Sequence, residues 1–390
     1  MMKQQVLQQL SRHQPPFLSI SLDTSRTSGV TERATELRWR ALVEKLRAPW
    51  LPAPVREQIA ETVLRPAPRS GPSGRYVVAS ADGVALDLVL PEPPVRDEIV
   101  VGPAPHLLPL IRATRQRPSY VLVVVDRAGA DIDFVVGVGA EAWHRTITGS
   151  NDELHKVKSG LLSQRRVQAR AEDSWDRNAA EVAKEVDAIV REYRPALVLV
   201  AGDQTAVAAL QGAIGEGTRT LVRRLPTGTR ADGASAAALD AAVKVEQDRY
   251  EAARRALVLD RFNSAEARQT AAVQGVEDVV TALGRSQVEH LLLHDDPLST
   301  FAVWAGPGPE HISSSAQGLQ AAGVTDPVRV RADAAIVWSA VAGGGEVTLL
   351  ADTDRTLTNG IGAVLRWSDP STSRDRVPSM PGHGEAFEDG

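Results

Sequence analysis

The chain of 390 residues contains no cysteine, which removes disulfides, thiolate metal sites and cysteine nucleophiles at once. It also lacks any apolar run near the roughly 20 residues that a membrane-spanning helix requires. Apolar stretches such as Tyr120–Val125 and Ala196–Ala201 are of strand length. The start, Met-Met-Lys-Gln-Gln, leads into a polar, helix-like segment without the apolar centre of a signal peptide. A cytoplasmic protein with no membrane partner is therefore expected. Three catalytic signatures are missing as well: the Gly-x-x-x-x-Gly-Lys-Ser/Thr phosphate loop, the Gly-x-Ser-x-Gly elbow and the His-Glu-x-x-His helix. An excess of basic charge is missing too. The formal net charge is −5, so the chain is not a polycation that coats nucleic acid generally.

What is present is an ordinary globular composition, 43% hydrophobic and 24% charged, at a length that predicts two or three domains. Residues Phe17–Ser25 alternate apolar and polar like a half-buried strand. Helical spacing runs from Val30 to Arg47, and Arg75–Leu90 reads as a hairpin around Ala81-Asp82-Gly83. A first α+β domain over 1–117 is expected. The middle domain, 118–262, opens with the apolar strand Tyr120–Asp126 and continues with strands Ile132–Gly137 and Trp143–Thr148. A helix Gln164–Tyr193, strand Ala196–Ala201, helix Gln204–Ile214, strand Leu221–Leu225 and helix Ser235–Leu259 follow. Such alternation predicts a mixed sheet with helices on both faces. The third domain, 263–367, reads as helix 266–283, strands 289–293 and 301–305, helix 315–322, strands 335–341 and 346–350, and a last strand Gly360–Trp367. Residues 368–390 are rich in Pro, Ser, Gly and charge, the composition of a disordered tail. The fold class expected is α/β.

One segment runs against the global charge. His155–Arg170 carries Lys156, Lys158, Arg165, Arg166 and Arg170 and no acid, between a strand and a long helix. Arg165 and Arg166 fall at a helix start, where the helix dipole disfavours cations unless an anion compensates. Ser159 and Gly160 add backbone freedom where a reaching loop needs it. RNA phosphate is the natural partner of such a run, and a solvated charged face is the plainer alternative. Other clusters carry less. Gly137-Val-Gly-Ala-Glu-Ala142 lacks the third glycine of a dinucleotide fingerprint and sits in a hairpin. His290 and His294 have metal-ligand spacing only on a helix, whereas Val288–Leu293 reads as a strand. Gly343-Gly-Gly345 is most simply a turn between two strands. No metal, cofactor or self-contained active site is expected.

Gly275-Val-Glu-Asp-Val-Val-Thr-Ala-Leu-Gly-Arg-Ser-Gln-Val-Glu-His-Leu-Leu-Leu293 resembles the opening of the last domain in the archaeo-eukaryotic class-1 release factor and Pelota superfamily. Gly360-Ile-Gly-Ala-Val-Leu-Arg-Trp367 resembles that family's closing strand, and Val245–Arg249 with Leu257–Phe262 its connection between middle and last domains. Leu22-Asp-Thr-Ser-Arg26 and Leu37-Arg-Trp-Arg40 resemble the actinobacterial branch of the bacterial release-factor-like proteins, a branch similar to the ribosome hibernation factor Balon. The resemblance spans about 118–367 and implies a three-domain release-factor-like architecture. It implies that the loop before the long middle-domain helix reaches ribosomal RNA or transfer RNA. In release factors this loop carries Gly-Gly-Gln for ester hydrolysis. Here it reads Lys158-Ser-Gly-Leu-Leu-Ser-Gln164, with Gln164 at the place of the glutamine and Leu162-Ser163 in place of the glycines. The stop-codon motif Asn-Ile-Lys-Ser is also absent. By resemblance the expected function is a translation factor that binds the 70S ribosome in its A site and inhibits translation, as in hibernation under stress. Elongation factor Tu or another translational GTPase is the expected partner. The alternative is a peptidyl-tRNA hydrolase that rescues ribosomes through Gln164. The binding residues expected are Lys156, Lys158, Gln164, Arg165, Arg166 and Arg170.

Overall fold

The computed structural model describes residues 2–26, 32–66, 71–115, 118–126, 129–135, 143–148, 161–226, 236–296 and 301–369. Among these the architecture is mixed α/β, in two compact units. One unit joins residues 1–115 to 253–390, and the other is 116–252.

The amino-terminal part runs α1 (Met2–Leu10), β1 (Phe17–Asp23), α2 (Glu32–Lys45), α3 (Ala53–Leu64), β2 (Gly74–Ser80), β3 (Gly83–Leu90), β4 (Glu98–Gly102) and α4 (Leu108–Arg115). Its strands form an antiparallel sheet in the order β3-β2-β1-β4. Leu18, Ile20 and Leu22 of β1 pack with Val77 and Ala79 of β2 against Ile59 and Val63 of α3. The alternation of β1 predicts a wet opposite face, yet Ser19 and Ser21 are buried as deeply as their apolar neighbours. Each such hydroxyl needs a partner once it leaves water, and the Ser19 Oγ accepts from the His106 amide at 2.9 Å. The Tyr76 hydroxyl donates to the His106 carbonyl at 2.8 Å, and Phe17 lies 6.5 Å from the ring of Trp338. The second face of this sheet is thus covered by the His106 segment of the same part and, at Phe17, by Trp338 of the carboxyl-terminal part.

The middle unit contains β5 (Tyr120–Asp126), β6 (Gly129–Val135), β7 (Trp143–Thr148), α5 (Leu161–Tyr193), β8 (Leu197–Gly202), α6 (Gln204–Ala213), the single turn α7 (Glu216–Arg219), β9 (Val222–Arg224) and the first half of α8 (Ala236–Ala267). Its five-stranded sheet has the order β7-β6-β5-β8-β9. The hairpin-linked β5, β6 and β7 are antiparallel, while β8 and β9 continue parallel to β5. Helices α5 and α6 cover one face through Val182, Val186, Val207 and Leu210. On the other, Leu239 and Val243 of α8 cover Leu122, Val124, Leu197 and Leu199. Covering on both faces explains why β5 and β8 are apolar throughout and do not alternate.

The remaining elements are β10 (Ala272–Gln274), α9 (Val276–Gly284), β11 (Val288–His294), β12 (Ala302–Ala305), β13 (Ile312–Ser313), α10 (Ala316–Ala321), β14 (Val328–Arg331), α11 (Ala332–Ala342), β15 (Glu346–Leu350) and β16 (Ile361–Leu365). They form a sheet β10-β16-β11-β15 and a smaller one, β13-β12-β14. Two expectations are corrected here. Residues 335–341 form the buried helix α11 in place of a strand. An apolar run this short has no periodicity to separate the two states, and five alanines in eleven residues favour the helix. Residues 266–283 are not one helix, since α8 runs on to Ala267, β10 intervenes, and Gly275 (φ 89°) opens α9. Gly343-Gly-Gly345 accordingly turns from a helix into a strand.

Between the amino- and carboxyl-terminal parts of the first unit lies a buried charge cluster. Arg331 contacts Glu98 at 3.2 Å and Asp333 at 2.5 Å. The His106 ring sits between them, 3.6 Å from Glu98 and 3.4 Å from Asp333. Burial pushes the Asp333 carboxyl up, but hydrogen bonds from His106 and Arg331 and their charges outweigh it and hold the group well below the ordinary carboxylate range.

Candidate nucleic-acid interface

The basic segment lies between β7 and α5. Lys156 and Lys158 lie outside the described residues, as do Ser159, Gly160 and Gly137–Ala142. Gln164, Arg165, Arg166 and Arg170 are in the first turns of α5, whose backbone is described there and whose side chains are not. The structure therefore brings four of the six expected binding residues onto one helix start. That first turn has no acidic residue, so the positive end of the helix dipole is left uncompensated within its own turn.

How α5 is held determines what these residues reach. Its buried side chains Ala179, Val182, Ala183, Val186 and Ile189 recur at steps of three and four, one face of a helix. At the far end Tyr193 meets Phe134 at 4.9 Å and Trp143 at 6.4 Å, while Phe134 and Trp143 lie 5.7 Å apart. Arg145 of β7 pairs with Glu185 and places its guanidinium 5.5 Å from the Trp143 ring centre. The described packing stops at Ala179, which lines a small cavity with Val125, Asp126 and Gly129 at the carboxyl end of β5. This cavity, about 10 Å³, is too small for a cofactor. Leu161 precedes Ala179 by about 18 residues, or about 27 Å of helix at 1.5 Å per residue.

The sheet end beneath is rigid. Gly202, at φ 128°, brings its Cα so near β5 that an added Cβ would lie 1.8 Å from the Val125 carbonyl oxygen. The next residue, Asp203, donates its amide to that same oxygen at 3.1 Å. Its carboxylate accepts from the Thr205 and Ala206 amides at 3.0 and 3.2 Å, capping α6. In the sequence, Gly202-Asp203 stands simply between the strand ending at Ala201 and the helix starting at Gln204. The positive φ and the close approach are legible in no local signal.

The other candidates resolve into structure. His290 stands on β11 between Glu289 and Glu346, and burial lowers its pKa from the ordinary histidine value. His294 Nε2 lies 3.0 Å from the Arg355 carbonyl oxygen. No group of three or more His, Cys, Asp or Glu placed to hold a metal ion occurs among the described residues. No described helix is long and apolar enough to cross a membrane.

Residues 119–268 match the model of the family described as bacterial archaeo-eukaryotic release factor family 2. This segment contains β5 through α8, and so the basic segment and α5. Over 370 residues the chain is 25% identical to an uncharacterized protein of Mycobacterium tuberculosis, Rv2629, covering 94% of this chain and 97% of that one. Among solved structures, Dom34 of Saccharomyces cerevisiae matches at 12% identity over 77% of this chain and 82% of its own, with a TM-score of 0.38. It is described as a translation termination-like factor involved in RNA quality control and interacting with Hbs1. Pelota of Archaeoglobus fulgidus matches at 17% identity over 75% and 80% of the two chains, with a TM-score of 0.34.

Proposed function

We propose that this chain, whose residues 119–268 match the model of bacterial archaeo-eukaryotic release factor family 2, is a ribosome-binding translation factor that occupies the A site and inhibits translation. The observation that carries this reading is the cationic start of α5. The helix begins at Leu161, about 27 Å of helix before Ala179, from which its packing on the sheet is described. Arg165, Arg166 and Arg170 lie in those leading turns, and Lys156 and Lys158 just before them. An arm whose leading residues, up to Arg170, carry cations and no acid suits the phosphates of ribosomal or transfer RNA.

Leu162-Ser163 in place of paired glycines removes the open backbone that, by resemblance, release factors use at the peptidyl-tRNA ester. The reading is therefore binding without peptide release, with the arm toward the peptidyl-transferase centre. A translational GTPase such as elongation factor Tu is the proposed delivery partner. The idle or stressed cell, where ribosome occupancy without release amounts to hibernation, is the proposed setting.

Sedimentation of the purified protein with vacant 70S ribosomes over a salt series tests this. Neutralising about five phosphates gives a slope of log affinity on log salt near −4, or a loss of about 200-fold between 50 and 200 mM salt. Replacing Lys156, Lys158, Arg165, Arg166 and Arg170 together with alanine should flatten that slope and weaken binding. Unchanged co-sedimentation of this variant removes the arm from the mechanism. Release of labelled peptide from P-site tRNA, abolished by Gln164→Ala, overturns the inhibitory reading in favour of a peptidyl-tRNA hydrolase.

A further inference from the structure

The second half of α8 has a face that nothing described covers. Leu257, Arg261 and Ser264 recur at steps of three and four along it, Arg268 follows in the turn at its end, and with Val364 and Leu365 of β16 they line an open groove of about 440 Å³. Leu257, at 67%, is the most exposed large hydrophobic side chain among the described residues. Arg261 reaches both carboxylate oxygens of Glu289 at 2.9 Å, whereas Arg268 has no ion pair among the described residues. Asp260 also lines the groove, so its balance is one net positive charge. An apolar floor flanked by arginines selects an occupant that is aromatic or aliphatic and acidic at once.

The chain carries such a segment. Described structure stops at Asp369, four residues beyond the groove-lining Leu365 and next to Arg285 at 4.0 Å. Of residues 370–390, the stretch Pro378-Ser-Met-Pro-Gly-His-Gly384 has the composition of a linker. It leads to Glu385-Ala-Phe-Glu-Asp389, whose Phe387 is the one aromatic side chain beyond Trp367 and is flanked by three acids. The 17 residues from Asp369 to Ala386 span up to about 60 Å when extended, ample to return to a groove that begins four residues behind their start.

We infer that residues 385–389 dock in cis into the groove between α8 and β16. Phe387 covers the exposed Leu257, and the acids pair with Arg268 and Arg261.

The absence of native cysteine makes a cross-linking test clean. The full chain carrying Ser264→Cys and Ala386→Cys is compared under mild oxidant with one carrying Ala322→Cys and Ala386→Cys, position 322 being exposed just past the end of α10 and outside the groove lining. Docking brings the first pair within the Cα separation of roughly 4.4–6.8 Å that a disulfide needs, so its intramolecular bond forms at least about tenfold faster than the second. Adding Phe387→Ala to the first pair slows it about tenfold and leaves the second unchanged. Arg268→Glu slows it likewise, and Glu388→Lys on that background restores the rate. Equal rates at 264 and 322, indifference to Phe387→Ala, or disulfide dimers as the main product would each overturn the inference.

Discussion

Replacing Asp333 with asparagine keeps the shape of the side chain and removes one charge from the cluster that joins the two ends of the chain. Asp333 is 9% exposed and Arg331 12%. The guanidinium binds both carboxylate oxygens, Nη2 to Oδ2 at 2.5 Å and Nε to Oδ1 at 3.1 Å. Breaking a buried pair on one side costs about 3–5 kcal/mol because the other charge stays buried. Arg331 keeps Glu98 at 3.2 Å, which places the expected loss at the lower end, about 3 kcal/mol. The pH dependence follows from the lowered pKa. A carboxyl depressed in the folded state contributes fully above its unfolded value of 3.8 and loses that contribution as pH falls toward the folded value. Urea unfolding of the two proteins should therefore show an equal gap at pH 5 and pH 7 that narrows below about pH 4. A gap under about 1 kcal/mol at pH 7 would refute the reasoning, because it would mean that Arg331 finds equal compensation without Asp333.

Gly202→Ala should destabilise the middle unit by about 3 kcal/mol or more, since it adds φ strain to a backbone overlap with Val125; denaturant unfolding followed by tryptophan fluorescence checks it. Asp203→Ala removes only the cap of α6 and should cost about 1 kcal/mol in the same assay. Arg145→Ala, at a side chain 54% exposed, should cost less than about 1 kcal/mol despite its ion pair and ring contact. A larger loss would show that Glu185 and Trp143 hold α5 more firmly than exposed contacts do.

The middle unit was the most legible part of the sequence. Its strands and helices change period sharply, from the apolar runs of β5 and β8 to the three-and-four spacing of α5 and α6, so their order can be read residue by residue. The basic segment was legible for a different reason, a local sign of charge opposed to the global one. The length of helix that presents it could be read only roughly. Misreadings fell where local pattern and tertiary burial diverge. Ser19 of β1 mimics a solvent-facing residue because its partner, the backbone of His106, lies far along the chain. α11 is apolar nearly all round because it packs against sheet strands on several sides, and that erases the period that marks a helix. The cluster of Glu98, His106, Arg331 and Asp333 leaves no trace in sequence, since its members are remote and each is ordinary where it stands.

That remoteness has a consequence in time. Glu98 and Arg331 are 233 residues apart, and at about 5–20 residues per second a ribosome needs about 12–47 s to make the stretch between them. During that interval the amino-terminal sheet has emerged with Phe17 still without Trp338 and Glu98 without Arg331, while the middle unit, contiguous in sequence, is completed by residue 252. The order of birth is thus the middle unit first and the composite of both chain ends last. A newborn chain passes through a stage in which the amino-terminal sheet lacks its carboxyl-terminal contacts at Phe17 and Glu98. Any slowing of synthesis beyond the middle unit lengthens that stage without changing a single contact in the finished molecule.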